Sequence, residues 1–125
     1  MARTGGDFEY IYLTTTGRRT GNPHTIEIWA AEHEGVLYLL AGGRERSDWV
    51  RNLRANPSVG VRIGERTAEE RAMHARVVSD PAEDTVARRV VAEKYRPRLS
   101  DEDMTGWART ALPVAIERSS PPAPL

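Results

Sequence analysis

Short segments rich in β-branched and aromatic residues, separated by turn signals, recur through most of the sequence. In the first segment Ile11 and Leu13 alternate with Tyr10 and Tyr12, which is the two-residue period of a half-buried strand. Glycines and Asn-Pro pairs between the segments predict turns. The first three segments are expected to form an antiparallel meander. The six predicted strands are Phe8–Thr16, His24–Ala31, Val36–Ala41, Ser58–Ile63, Ala72–Val78 and Leu112–Glu117.

Helix signals interrupt this pattern at three places, each beginning with a polar residue that can accept hydrogen bonds from the first turn. The predicted helices are Asp48–Ala55 behind the cap Ser47, a longer one from Asp80-Pro81 to near Arg96-Pro97, and a short one from Ser100 through Trp107. These elements predict an α+β fold that is mainly β. A closed barrel and an open sheet capped by helices both fit the pattern, although closure would remove the exposed edges.

The length of 125 residues fits one domain. We assign residues 1–7 to a flexible lead, 8–118 to the domain and 119–125 to a disordered Pro-rich tail. Absence of cysteine excludes thiol catalysis, zinc–thiolate sites and disulfides. A net charge of zero does not suggest nucleic acid or an anionic membrane as partner. The sequence shows neither a bilayer-spanning apolar run nor a signal peptide, so a cytoplasmic location is expected.

The common catalytic motifs are missing from the sequence. There is no GxGxxG, Walker A or GxSxG motif. The three histidines, His24, His33 and His74, lack the spacing of metal ligands, so no metal site is predicted. No catalytic residue is identified. A site without its own nucleophile or metal is consistent with a bound cofactor that carries the reaction.

Two segments combine arginine and glycine in a way that suits an anion. Gly42–Ser47 places two glycines, two arginines and a hydroxyl directly before the helix that begins at Asp48. Free backbone N–H groups and the helix dipole favour an anion there, and arginine binds phosphate bidentately. Gly17–Gly21 places a second arginine pair at the tip of the first hairpin. A capped helix and a polar turn are the ordinary alternatives, and the segments reinforce each other only if the fold brings them together.

Glu27 and Trp29 alternate with Ile26 and Ile28 along the second predicted strand. If the isoleucines face the core, Glu27 and Trp29 face outward. An outward tryptophan indicates a ligand cleft or a subunit interface, of which we favour the interface. The alternative is that one of the late helices covers Trp29.

The first hairpin reads Thr14-Thr15-Thr16-Gly17-Arg18-Arg19-Thr20-Gly21, followed by Pro23 and Thr25. The first helix reads Ser47-Asp48-Trp49-Val50-Arg51-Asn52-Leu53-Arg54-Ala55-Asn56-Pro57. Together these stretches resemble the two hallmarks of the deazaflavin-dependent nitroreductase family. The similarity extends over Tyr10–Asp80 and is looser in the C-terminal part.

The resemblance implies a six-stranded antiparallel split β-barrel with peripheral helices, related to the pyridoxamine phosphate oxidases. It implies coenzyme F420, or FMN in sister branches, and hydride transfer to a small quinone, nitroaromatic or enone. By matching positions, arginines of the hairpin meet the anionic tail, the second strand runs beside the ring, and the helix N-terminus holds phosphate. The implied cofactor-binding residues are Arg18, Arg19, Thr25, Ile26, Glu27, Ile28, Gly42, Gly43, Arg46, Ser47, Trp49, Asn52 and Arg54.

Four positions depart from the family pattern, among them Ser47, which together with Asp48 stands where many relatives have a His-Pro pair. Asn22 and His24 stand where lysine or arginine is common, and Asp48 adds a negative charge near the implied phosphate. Two alternatives to an F420-dependent reductase therefore stay open, namely an FMN-binding oxidoreductase and a non-catalytic cofactor carrier. The family and Trp29 also imply a homodimer.

Overall fold

A computed structural model describes residues 6–118 of the chain. Within this range seven strands form one antiparallel sheet in the order β2-β1-β5-β6-β7-β4-β3. The strands are β1 (Ile11–Thr16), β2 (Pro23–Ile28), β3 (Ala31–His33), β4 (Val36–Ala41), β5 (Ser58–Ile63), β6 (Arg71–Val77) and β7 (Leu112–Arg118). The helices are α1 (Asp48–Ala55), α2 (Pro81–Tyr95), α3 (Asp101–Thr105) and α4 (Trp107–Thr110). The predicted tail and all but Gly6 and Asp7 of the predicted lead lie outside the described residues.

Local signals place most elements correctly. The bounds of β4, β5 and α1 are those predicted, and α2 begins behind Asp80, whose carboxylate accepts a hydrogen bond from the Glu83 N–H at 2.9 Å. Ser100 and Asp103 form a reciprocal capping box at the start of α3. The short helix predicted through Trp107 is interrupted at Gly106, where α3 ends and α4 begins.

The predicted strand His24–Ala31 is wrong in one respect, because it is two strands. β2 ends at Ile28 and β3 begins at Ala31, which raises the strand count from six to seven. The predicted meander is also wrong, because β2 pairs only with β1 and β4 pairs with β3 and β7. The intervening residues Trp29 and Ala30, here called the seam, connect opposite edges of the sheet.

The seam forces the sheet to curl. Seven flat strands spaced about 4.8 Å apart would separate the two edges by about 29 Å. The link from Ile28 to Ala31 spans at most about 11 Å. Accordingly, Ile11 of β1 lies in one buried cluster with Leu37 and Leu39 of β4. The result is a half-barrel whose concave side contains the core.

A second cluster lies on the outer side of the half-barrel, where α2 covers β4 and β7. Val90 and Val91 of α2 pack with Tyr38 and Leu40 of β4, and all four are buried. Within residues 6–118, no helix is long and apolar enough to cross a membrane.

Lys94 lies at the C-terminal end of α2, and it is the one lysine of the sequence. Its ammonium donates to the carbonyl of Ala30 at 2.7 Å and lies 3.4 Å from the ring centroid of Phe8. Burial lowers the pKa of Lys94 to about 8, although the carboxylates of Glu9, Glu32 and Asp7 oppose the shift.

This depressed pKa predicts a pH-dependent stability. Between about pH 8 and pH 10.5 the unfolded chain binds more protons at Lys94 than the folded chain, so the free energy of unfolding should rise with pH. A Lys94→Met variant should lack this rise, whereas Tyr95, whose pKa is raised to about 12, acts equally in both proteins above pH 10. Urea unfolding at pH 7.5, 9 and 10 checks the prediction, and a constant difference between the two proteins would contradict it.

Candidate functional site

The first candidate feature is a groove of about 780 Å³ between the tip of the β1–β2 hairpin and α1. The structure therefore places the arginine-bearing segment Gly17–Gly21 against α1, whereas no residue of the segment Gly42–Ser47 lines the groove. Six of the residues implied by the family resemblance line the groove, namely Arg18, Arg19, Thr25, Ile26, Trp49 and Asn52.

Asn52 joins the two sides of the groove. Its side-chain oxygen accepts hydrogen bonds from the backbone N–H of Arg18 at 3.2 Å and from the Arg18 guanidinium at 2.9 Å. Its amide nitrogen donates to the hydroxyl of Thr15 at 3.3 Å. The Asn52 side chain is almost fully buried, at 3% exposure, so these three bonds satisfy a polar group that would be costly to bury unpaired. This arrangement fixes the hairpin tip against α1.

The groove is basic but carries one negative charge. Arg18 pairs with Asp48 at 3.4 Å, and the Asp48 side chain is 83% exposed, so the pair is weak and screened by solvent. Arg19 makes no hydrogen bond or ion pair within residues 6–118 and is exposed to solvent. Its five donors are thus available to an anion.

The N-terminus of α1 differs from the prediction in its cap. Ser47 occupies the N-cap position, yet among residues 6–118 its hydroxyl makes no capping hydrogen bond. The hydroxyl instead lies against Gly43, where an added Cβ would come within 2.6 Å of it. The first-turn N–H groups are left without this side-chain partner, as an anion-binding helix terminus requires. Gly42, Gly43, Arg46, Ser47 and Arg54 do not line the groove itself.

The second feature is a cleft of about 310 Å³, bordered by Glu27 and Ile28 of β2 and by the rings of Tyr10, Trp29 and Trp107, with Leu40 at its side. Trp29 is half-buried and stacks on Tyr95 of α2, with ring centroids 4.3 Å apart. Its other neighbour is Trp107, which meets it edge-on at 6.0 Å. The structure thus agrees with the alternative interpretation of Trp29, in which a late helix covers one of its faces.

Strand β2 borders both features, one after the other along its length. Thr25 and Ile26 line the groove, whereas Glu27 and Ile28 line the cleft. The Glu27 carboxylate accepts a hydrogen bond from Tyr12 at 2.9 Å, and burial together with this bond raises the pKa of Tyr12. A flat ligand lying along β2 would therefore reach from a basic groove to an aromatic cleft.

Sequence reasoning missed the far wall of the cleft. Tyr10, Leu40 and Trp107 are distant in sequence and meet only because the sheet curls. Gly42 lies against this wall, because an added Cβ there would come within 3.4 Å of the Trp107 ring. The only available signal was the presence of unassigned aromatic residues.

Comparison with known proteins agrees with this geometry. An F420H(2)-dependent quinone reductase of Mycobacterium tuberculosis is 40% identical over 58 residues, which cover 43% of this chain and 38% of that protein. The chain thus matches less than two-fifths of the length of this curated relative.

Solved structures show the same fold. An F420-H2-dependent reductase superposes with a TM-score of 0.67 at 24% identity, covering 87% of this chain and 94% of that one. A protein solved as a domain-swapped dimer superposes with a TM-score of 0.69 at 24% identity, covering 89% and 81%. These likenesses confirm the predicted split-barrel fold, with one strand more than expected. The family model described as F420H(2)-dependent quinone reductase matches residues 1–118, and the chain belongs to that family.

Proposed function

We propose that this protein is an F420-dependent oxidoreductase that reduces a small, planar, electron-poor acceptor such as a quinone. The observation that carries the proposal is that consecutive residues of β2 line first the basic groove and then the aromatic cleft. Reduced F420, when bound, supplies a hydride. The protein contributes binding, orientation and exclusion of water rather than covalent chemistry.

The groove fits the anionic part of such a cofactor. Its volume of about 780 Å³ lies in the range of small-molecule sites, and the donors of Arg18 and Arg19 face an anion from one side. The uncapped N-terminus of α1 adds N–H groups close by. We propose that these groups hold the cofactor, with Thr25–Ile28 beside its ring and Asn52 fixing Arg18. The further positions Gly42, Gly43, Arg46, Ser47, Trp49 and Arg54 stay predictions from the family resemblance.

The cleft suits the acceptor. Trp29 and Trp107 offer ring faces and edges against which a quinone or another planar ring can pack. Among the described residues that line the cleft, Glu27 is the one with a carboxylate, and it accepts a hydrogen bond from Tyr12. The proposed class of acceptor therefore follows from the shape and the aromatic lining of the cleft. Nitroaromatics and enones belong to this class as well as quinones.

A cofactor titration tests the proposal. Purified protein should quench or shift F420 fluorescence, and Arg19→Ala should weaken the binding about tenfold, which corresponds to the ~1.4 kcal/mol of a charge-assisted hydrogen bond. Arg89→Ala, on the exposed side of α2 where Arg89 pairs with Glu93, is the matched control and should bind like the parent. No F420 binding at high micromolar concentration would contradict the proposal.

The same titration distinguishes the alternatives. Stoichiometric FMN in the purified protein would favour the FMN-binding oxidoreductase. Binding of F420 without reduction of any quinone or enone would favour a cofactor carrier, for which Asp48 at the groove is the supporting feature.

A cytoplasmic homodimer stays part of the proposal. Its support is a structural relative solved as a domain-swapped dimer, and a monomeric mass by light scattering would contradict the dimer.

A further inference from the structure

The backbone of Ala30, in the seam, has its polar groups satisfied by two consecutive residues of α2. Ala30 is fully buried. Its N–H donates to the hydroxyl of Tyr95 at 3.0 Å, and its carbonyl accepts from the Lys94 ammonium at 2.7 Å. The Tyr95 hydroxyl in turn donates to the carbonyl of Glu9 at 2.6 Å, and it also lies 3.0 Å from the Ala30 carbonyl. The end of α2 therefore holds the seam and the segment before β1 together.

These contacts lead directly to the cleft. Trp29 is the other residue of the seam, and its ring lies parallel to the Tyr95 ring, with an interplanar angle of 5°. Trp107 meets Trp29 in a T-shaped arrangement, with ring centroids 6.0 Å apart. One tyrosine thus determines both the backbone next to Trp29, through its hydroxyl, and the plane of the Trp29 ring, through its own ring.

We infer that Lys94 and Tyr95 are positioning residues for the acceptor: they hold the Ala30 peptide so that the Trp29 ring forms one wall of the cleft. This inference rests on the proposed function for the placement of the acceptor. The groove borders the earlier part of β2, and neither Lys94 nor Tyr95 lines it. Loss of the contacts to Ala30 should therefore affect acceptor binding and leave cofactor binding intact.

Ala30 needs these contacts because of where the sheet is split. β2 has ended at Ile28 and β3 begins only at Ala31, so the seam lies outside both ladders of backbone hydrogen bonds. A buried peptide without partners is unfavourable and shifts towards any conformation that exposes it to water. Such a shift would turn the neighbouring Trp29 ring, because the two residues share a peptide bond.

The sharpest variant is Tyr95→Phe, which removes one hydroxyl and keeps the ring that stacks on Trp29. Lys94→Met removes the ammonium and keeps the length of the side chain, and Lys94→Arg should restore the donor to the Ala30 carbonyl. Arg89→Ala on the same helix serves as control. Amide hydrogen exchange followed by NMR should show the Ala30 N–H exchanging at least about tenfold faster in Tyr95→Phe than in the parent.

Kinetics and binding then separate positioning from stability. A variant that is only less stable loses kcat in proportion to its unfolded fraction, while the KM of the folded remainder does not change. With menadione as the acceptor, Tyr95→Phe and Lys94→Met should raise KM about tenfold, change kcat less than about threefold and leave the F420 dissociation constant within about twofold. Menadione binding without cofactor, measured by quenching of tryptophan fluorescence, should weaken by the same factor.

Each result of these measurements either supports or contradicts the inference. Faster exchange at Ala30 with an unchanged KM for menadione would overturn it, and so would an equal loss of F420 affinity. If Tyr95→Phe does not fold, the Lys94→Met and Lys94→Arg pair gives the same comparison. If the parent protein binds menadione but shows no F420-dependent turnover, the proposed function is contradicted. In that case, weaker quenching of tryptophan fluorescence by menadione in the variants would still support the role of Lys94 and Tyr95.

Discussion

Replacing Asn52 by alanine is expected to lower the free energy of unfolding by about 2 kcal/mol and to weaken F420 binding by about tenfold or more. Asn52 is buried and makes three hydrogen bonds, two to Arg18 and one to Thr15. Alanine leaves the Thr15 hydroxyl and the Arg18 backbone N–H without this partner. The guanidinium of Arg18 loses the contact that aims it into the groove, so binding should suffer in addition to folding.

Asn52→Asp is the matched comparison for this variant. The carboxylate has nearly the shape of the amide and accepts from Arg18 in the same place, while the Thr15 hydroxyl can rotate to donate to it. We therefore expect a stability within about 1 kcal/mol of the parent. The added negative charge beside Arg18 should nevertheless oppose an anionic ligand.

Thermal or urea unfolding and the F420 titration measure the two effects separately. Asn52→Ala should lose stability and affinity, whereas Asn52→Asp should lose affinity alone. Unchanged F420 binding in both variants would show that the anion does not bind at this groove. Equal stability of Asn52→Ala and the parent would contradict the structural part of the argument.

The elements that sequence reasoning placed correctly are those whose signals are local. Asp80-Pro81 marks the start of α2, and Asn56-Pro57 ends α1, because capping and the geometry of proline act within one turn. The groove could be predicted from the sequence for a related reason. The hairpin and α1 carry recognisable motifs, although only the contact between Arg18 and Asn52 shows that the fold brings the two together.

The seam and the cleft had no comparable signal. The alternation that predicted one strand over His24–Ala31 continues through Trp29 and Ala30, and nothing nearby in sequence marks the change of sheet edge. The partners that satisfy Ala30 lie on Lys94 and Tyr95, more than sixty residues later. The seam and the cleft depend on these long-range contacts, which the local sequence pattern does not indicate.

The cleft and the groove can be tested against each other through two tryptophans, each of which lines only one of them. Trp29 lines the cleft and Trp49 lines the groove, and both are half-buried. Replacing either ring by leucine removes a similar volume, so both variants should lose stability, by about 2–4 kcal/mol. Because both variants are expected to lose stability to a similar extent, the affinities for the two ligands distinguish them.

Trp29→Leu is expected to raise the KM for menadione by about tenfold or more, because an aromatic contact contributes about 1–1.5 kcal/mol beyond its buried area. Its F420 dissociation constant should stay within about threefold of the parent, because Trp29 does not border the groove. Trp49→Leu should show the reverse pattern. Steady-state kinetics with menadione and fluorescence titration with F420, both below the unfolding transition, measure the two constants. If the two variants lost affinity for both ligands equally, the assignment of the cofactor to the groove and of the acceptor to the cleft would be wrong, because the two tryptophan rings would then line one shared site.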